Sequence, residues 1–264
     1  RVGDAHAGGS DARPMPRPPG PRRATGETDP LAQEGSAMGL RRSFWFPFFG
    51  VPRGPLGRVG ARLMPTLVGP LYAMMAKELD LQPDDDLLEV GCGSARLLAE
   101  QTSQVHHVAG LDASEIQVGM ARRRLADRIA AGTAEVVLGD AMALPWPDGR
   151  FSVVGSLNCL KFVPDPAKAL REMHRVLRPG GRVVLTIDEQ MDKWGRAGEI
   201  DAFGQWQWSP DDARRMMEEA GFADVSVARM PTRMGLQFVR GAKPAAPAVA
   251  DLAETPALVG AAAG

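Results

Sequence analysis

The chain has 264 residues, 44% of them hydrophobic and 24% charged, with a formal net charge of −1. That length suits one large domain or one domain with appendages, and the even charge balance excludes a strong global pull toward nucleic acid or an anionic membrane. The two cysteines, Cys92 and Cys159, form no CxxC pair, which excludes a disulfide framework, argues against a structural zinc site and favours a reducing, cytoplasmic setting.

Residues 1–40 are rich in Gly, Pro and Arg without hydrophobic period, so a disordered extension is expected there, with Met38 a plausible start. No apolar stretch before Met38 resembles a signal peptide, and no run reaches the roughly 18 apolar residues of a membrane span. Residues 41–80 read as a helical lid or substrate-cap segment, with Pro65 and Pro70 punctuating helical pieces between Leu56 and Leu79. Asp86 to Val90 is a short apolar run ending at Gly91, hence a buried strand. A helix follows over Arg96–Gln104, a strand over Val108–Leu111, a helix over Ser114–Ala131 and a strand over Glu135–Leu138. Phe151–Ser156 is the fourth strand, Ala167–Leu177 a helix, Arg178–Gly181 a turn, and Arg182–Ile187 the fifth strand. A helix over Pro210–Ala220 is capped by Ser209 and ended by Gly221. Strands near Asp224–Ala228 and Gly235–Val239 close the pattern, with a flexible tail at 243–264. Apolar strands alternating with helices predict an α/β fold: a doubly wound, Rossmann-like, mostly parallel seven-stranded sheet with a C-terminal antiparallel hairpin, occupying residues 81–242.

The stretch LLEVGCGSAR (87–96) sets Gly91 and Gly93 between a strand and a helix, where backbone without side chains admits a ligand and amide N–H groups would point outward. Asp112 ends the second strand 21 residues after Gly91, the spacing of an acid that accepts hydrogen bonds from a ribose diol. Asp140 follows the third strand and could accept from an adenine amine. Each acid alone is equally a cap or a turn residue. At consecutive strand ends they converge on the crevice where open α/β sheets bind ligands.

These motifs, with GLDAS (110–114), GDAMALPWPDGRFSVV (139–154) and LREMHRVLRPGGRVVL (170–185), resemble the class I S-adenosylmethionine-dependent methyltransferases. The resemblance is to the group that includes the ubiquinone and menaquinone C-methyltransferases and many natural-product enzymes. It implies S-adenosylmethionine as cofactor. Glu89, Gly91, Cys92 and Gly93 would line its methionine half, Asp112 its ribose and Ala113 its adenine. Asp140 and Ala141 would meet the adenine edge, and Asn158 would lie by the methyl group. The chain departs from the family at Ala95, which replaces a third glycine, and at Lys161 and Phe162, where relatives carry histidines or aromatics. No general base is assigned.

The reaction implied moves a methyl group to a small-molecule acceptor of hydrophobic or aromatic type: a natural product, a quinone or an isoprenoid. Phe44, Trp45, Phe46, Phe48, Phe49, Tyr72 and Met75 would line the acceptor site or touch a membrane surface; equally, they complete the core. Lys161, Phe162, Asp188 and Glu189 stand at the correct sheet edge to orient the acceptor, or are ordinary loop residues. His106, His107 and His174 read as structural, and no metal or nucleic-acid site is expected. Two other readings compete. An NAD-dependent oxidoreductase shares the glycine turn and the acid but would need a catalytic set that is missing here. A non-catalytic cofactor-binding module would keep the fold without turnover.

Overall fold

The computed structural model of the protein describes residues 69–188, 208–230 and 236–246, and the isolated residues 54, 58 and 59. The strands are β1 (Asp86–Val90), β2 (His107–Asp112), β3 (Ala134–Leu138), β4 (Phe151–Ser156), β5 (Leu177–Asp188), β6 (Ala223–Arg229) and β7 (Leu236–Ala242). They form one seven-stranded sheet in the order β3-β2-β1-β4-β5-β7-β6. β1 to β5 run parallel, while β7 runs antiparallel to both β5 and β6. The chain moves outward from β1 to β3 and then returns to place β4 on the other side of β1. A crevice therefore opens beyond the carboxyl ends of β1 and β4.

Among the described residues from Gly69 onward, the helices are α1 (Gly69–Leu79), α2 (Arg96–Glu100), α3 (Glu115–Arg124), α4 (Ala126–Ala130), α5 (Pro166–Val176) and α6 (Pro210–Glu219), and a 3₁₀ turn covers Leu160–Phe162. Side chains alternate across a strand, so each central strand feeds two cores. Leu87, Val108, Val153 and Val184 pack with Leu71, Met75, Leu97 and Val118 on the α1–α3 face. Leu88, Val90, Val154 and Leu185 pack with Leu170, Met173, Met216 and Met217 on the α5–α6 face. A strand covered on both faces has no solvent-facing positions to alternate, so all six residues of FSVVGS are buried, with its two serine hydroxyls donating to Asp85 and to the Val90 carbonyl.

Local chemistry starts the helices. The Ser114 side chain accepts from the Gln117 amide at α3, and Asp165 accepts from Lys168 at α5 with Pro166 in the first turn. Ser209 and Asp212 form a reciprocal capping box at α6, and Gly221, at φ +100°, follows its end.

Most element limits lie within a few residues of those the sequence predicts, and four departures have a clear physical cause. The helix from Arg96 stops at Glu100; beyond it, the Thr102 hydroxyl bonds back to the Leu98 carbonyl at 2.5 Å. The helix expected over Ser114–Ala131 breaks at Leu125, which leaves helical geometry at φ −100°, ψ 14°. The break goes with Arg128, whose guanidinium reaches the carbonyls of Thr102 and Val105 at 2.9 Å each. The turn at Arg178–Gly181 lies inside β5: the pairing with β4 jumps from Phe151↔Leu177 to Val153↔Arg182, so the intervening residues bulge. Finally, Lys243 belongs to no loose tail. Its backbone pairs with Gly180 and Gly181, and its ammonium donates to the carbonyls of His174 and Leu177 at 2.9 and 2.8 Å.

At the amino-terminal edge of the sheet Asp85 is held by Arg182 (2.6 Å) and by the Ser152 hydroxyl (2.6 Å). Burial alone would raise its pKa. The donors from Arg182, the Gln82 amide and Ser152 outweigh burial and hold the carboxyl below its usual range. This cluster ties α1, β1, β4 and β5 together at the end of the sheet opposite the crevice.

Candidate active site

The loop after β1 is folded onto β2 by its own backbone. The Gly91 and Cys92 amides both donate to the Leu111 carbonyl, at 2.8 and 3.0 Å. The Gly93 amide donates to Asp112 Oδ2 at 2.9 Å. These three N–H groups thus point into the protein, which corrects the expectation that the loop presents its amides outward. The reason is geometric: with β1 and β2 in register (Val90↔Leu111), the first amides past β1 continue the ladder. What the loop offers a ligand is its glycine surface and the acids around it.

Gly91 sits at φ +75°, and a Cβ built there would lie 2.3 Å from Cys159 Sγ and 2.4 Å from Cys159 Cβ. Cys159 therefore rests directly on the glycine. Its loop is fixed by Asn158, which takes a left-handed φ of 57° and donates its amide to Thr186 Oγ1 on β5 at 2.7 Å. Ala95, in the place of a third glycine, adopts φ 56°, the left-handed conformation a glycine would take there without strain.

Two carboxylates face this loop. Leu87 and Glu89 share one face of β1, so Glu89 leaves the sheet on the α1–α2 side. It is 1% exposed, and its Oε2 has no hydrogen-bond partner. Burial first, and then the charge of Asp112, raise its pKa well above the carboxylate range. Asp112 accepts from the Gly93 and Ser114 amides at 2.9 Å each. Burial raises its pKa, while the amides of Ser114, Gly93 and Ala113 pull the other way. The same environment pushes the Cys159 thiol up to about 12, chiefly through burial and then through Asp112. The site is thus acidic and poorly solvated.

The structure brings Glu89, Gly91, Cys92, Gly93 and Asp112 together, with Asn158 across β4. Ala113 is exposed beside them and Ala141 is buried. Asp140 is exposed, two residues beyond Leu138, the partner of Asp112 in the sheet. Its carboxylate accepts from the Met142 amide at 2.8 Å, so it closes its own turn. Tyr72 reaches the loop from α1: Arg96 lies 5.9 Å from its ring centre, and burial together with Glu89 raises its pKa. Its place is beside the glycine loop. Met75 is corrected as an acceptor-site residue. It is fully buried, its Cε packed against Gly155, because α1 turns that face into the core.

Lys161 and Phe162 lie on the 3₁₀ turn past β4, with the ammonium 5.3 Å from its neighbour's ring centre. Phe44, Trp45, Phe46, Phe48, Phe49, Glu189 and the side chain of Asp188 lie outside the described residues. Gln117, Thr186 and Cys159 were not singled out from the sequence. Only Gln117 carries a signal: it is a polar residue sharing the buried face of α3 with Val118 and Ala121. Among the described residues no helix is long and apolar enough to cross a membrane, and no three metal-ligating side chains cluster.

A family model described as a methyltransferase domain matches residues 88–185. A demethylmenaquinone methyltransferase of Geobacillus kaustophilus is 31% identical over 179 residues, which are 57% of this chain and 76% of that protein. Its counterpart in Listeria welshimeri is 39% identical over 119 residues, 43% of this chain and 49% of that protein. The chain spans a third to a half of the length of several curated relatives it matches. Among solved structures, the [4+2]-cyclase SpnF superposes with a TM-score of 0.59 at 20% identity, covering 74% of this chain and 85% of that one. That likeness is one of fold.

Proposed function

The chain belongs to the class I S-adenosylmethionine-dependent methyltransferases, and on that premise we propose that it transfers a methyl group from S-adenosylmethionine to a small hydrophobic or aromatic acceptor. A quinone, isoprenoid or natural-product acceptor is favoured, since the relatives with the family's motifs include menaquinone enzymes. The observation that carries the reading is Glu89. A buried carboxyl with a partnerless oxygen, under the charge of the half-buried Asp112 on the neighbouring strand, is costly unless a cation or donor arrives. The cofactor is such a ligand, with an ammonium and a sulfonium.

The cofactor supplies an activated methyl group on a cationic leaving group. The residues of this chain bind and align it. Glu89 and the Gly91–Gly93 loop would hold the methionine half, Asp112 the ribose, Ala113, Asp140 and Ala141 the adenine, and Asn158 the region of the methyl group. Alignment of this kind can lower a barrier by several kcal/mol, up to about 7–11, and needs no general base for an acidic acceptor. Lys161, Phe162 and Tyr72 would border the acceptor. The binding domain we propose spans 69–243, because α1 packs into its core and Lys243 pairs with β5, and the proposed lid is confined to residues before α1. Its setting is cytoplasmic, in keeping with two free thiols.

The test is the pH dependence of cofactor affinity. The folded pKa of Glu89 lies above its unfolded value. Ionised Glu89 therefore lowers the stability of the ligand-free protein as pH rises through that folded pKa. A cationic ligand favours the ionised form, so affinity for S-adenosylmethionine is expected to rise with pH across the same window. Glu89→Gln should flatten the rise. Parallel profiles for wild type and Glu89→Gln would remove Glu89 from the cofactor site.

A further inference from the structure

Gln117 stands in the first turn of α3, its amide capped by the Ser114 hydroxyl at 3.5 Å. The residue is only 9% exposed, and its Oε1 is buried without a hydrogen-bond partner. Its carboxamide carbon, Nε2 and Oε1 lie 3.9, 3.9 and 4.0 Å from where a Cβ on Gly93 would stand. The amide group thus lies flat on the open face of that glycine. The N–H of the same glycine is bonded to Asp112, so Gln117 and Asp112 flank Gly93.

A buried carbonyl oxygen left unpaired is rare, because it has given up water and gained nothing. A leucine or methionine would fill this place on the apolar face of α3 without that cost. Asp112 is also partly occupied, since each of its oxygens already accepts a backbone amide. A ribose diol brings two donor hydroxyls to this spot, more than a half-engaged carboxylate serves well alone.

We propose that Gln117 Oε1 is a second acceptor for the ribose diol of the bound adenosyl ligand, dividing the two hydroxyls with Asp112. This rests on the cofactor reading above. It adds a binding residue and makes the site selective for an intact ribose.

The test is calorimetry with S-adenosylhomocysteine and its 2′-deoxy and 3′-deoxy analogues, on wild type, Gln117→Leu and Gln117→Met. Both variants are expected to stay folded, with melting temperatures no lower than wild type. Each should bind S-adenosylhomocysteine about tenfold more weakly, the size of one hydrogen bond to a neutral acceptor. One deoxy analogue should lose affinity in wild type yet lose little more in the variants, since the hydroxyl and its acceptor form one interaction. A merely structural role would weaken all three ligands equally, and that result overturns the proposal. Unchanged affinity for S-adenosylhomocysteine overturns it as well. A wild-type protein that binds none of the three ligands refutes the cofactor reading itself, and Gln117's role falls with it.

Discussion

Gly91→Ala is expected to abolish cofactor binding and to lower stability by about 2–5 kcal/mol, the sum of two independent costs. The first is conformational: at φ +75° an L-residue bears about 1–2 kcal/mol of strain. The second is steric. The new methyl would lie 2.3 Å from Cys159 Sγ, and that thiol cannot step aside freely, because its loop is held by the Asn158–Thr186 bond. Overpacking of this kind costs about 1–3 kcal/mol. The two costs separate experimentally. In a double-mutant cycle by denaturant unfolding, Cys159→Gly should cancel most of the steric part in the Gly91→Ala background and leave the strain. Strict additivity of the two substitutions would show that the glycine and the thiol do not meet.

Asp112→Ala should weaken S-adenosylhomocysteine binding by about 1.5–3 kcal/mol for the lost charge-assisted bonds. A further loss should follow because the substitution also frees the Gly93 and Ser114 amides. Both N–H groups now donate to this carboxylate at 2.9 Å, so the glycine loop and the start of α3 lose a shared anchor. Asp112→Asn is the informative partner. It retains one acceptor oxygen, can satisfy one of the two amides, and should fall between wild type and alanine in melting temperature. Calorimetry and thermal unfolding check both variants. An alanine variant with wild-type affinity would mean that Asp112 serves the backbone alone.

The strands of the central sheet were legible because their residues left little choice. DLLEV and FSVVGS are short, predominantly apolar runs bounded by glycines or turn residues, and both strands have the predicted limits. The cap at Ser209 and the stop at Gly221 were equally local. Features decided by distant partners were not legible. The break at Leu125 accompanies what Arg128 finds on neighbouring loops, and the ordered course of Lys243 depends on carbonyls at the end of α5 and the start of β5. The glycine loop shows the same division. Its spacing to Asp112 was visible, but its amides face Leu111 and Asp112 because of strand register, which no local pattern displays. Met75 looked like one more apolar residue in a lid; α1 instead buries it against Gly155.

The most direct measurement is a calorimetric titration of the whole chain with S-adenosylhomocysteine and, separately, with NAD. The site formed by Glu89, the Gly91–Gly93 loop and Asp112 should bind the adenosyl ligand with one-to-one stoichiometry and leave NAD unbound. Binding of NAD with no response to S-adenosylhomocysteine or S-adenosylmethionine would contradict it.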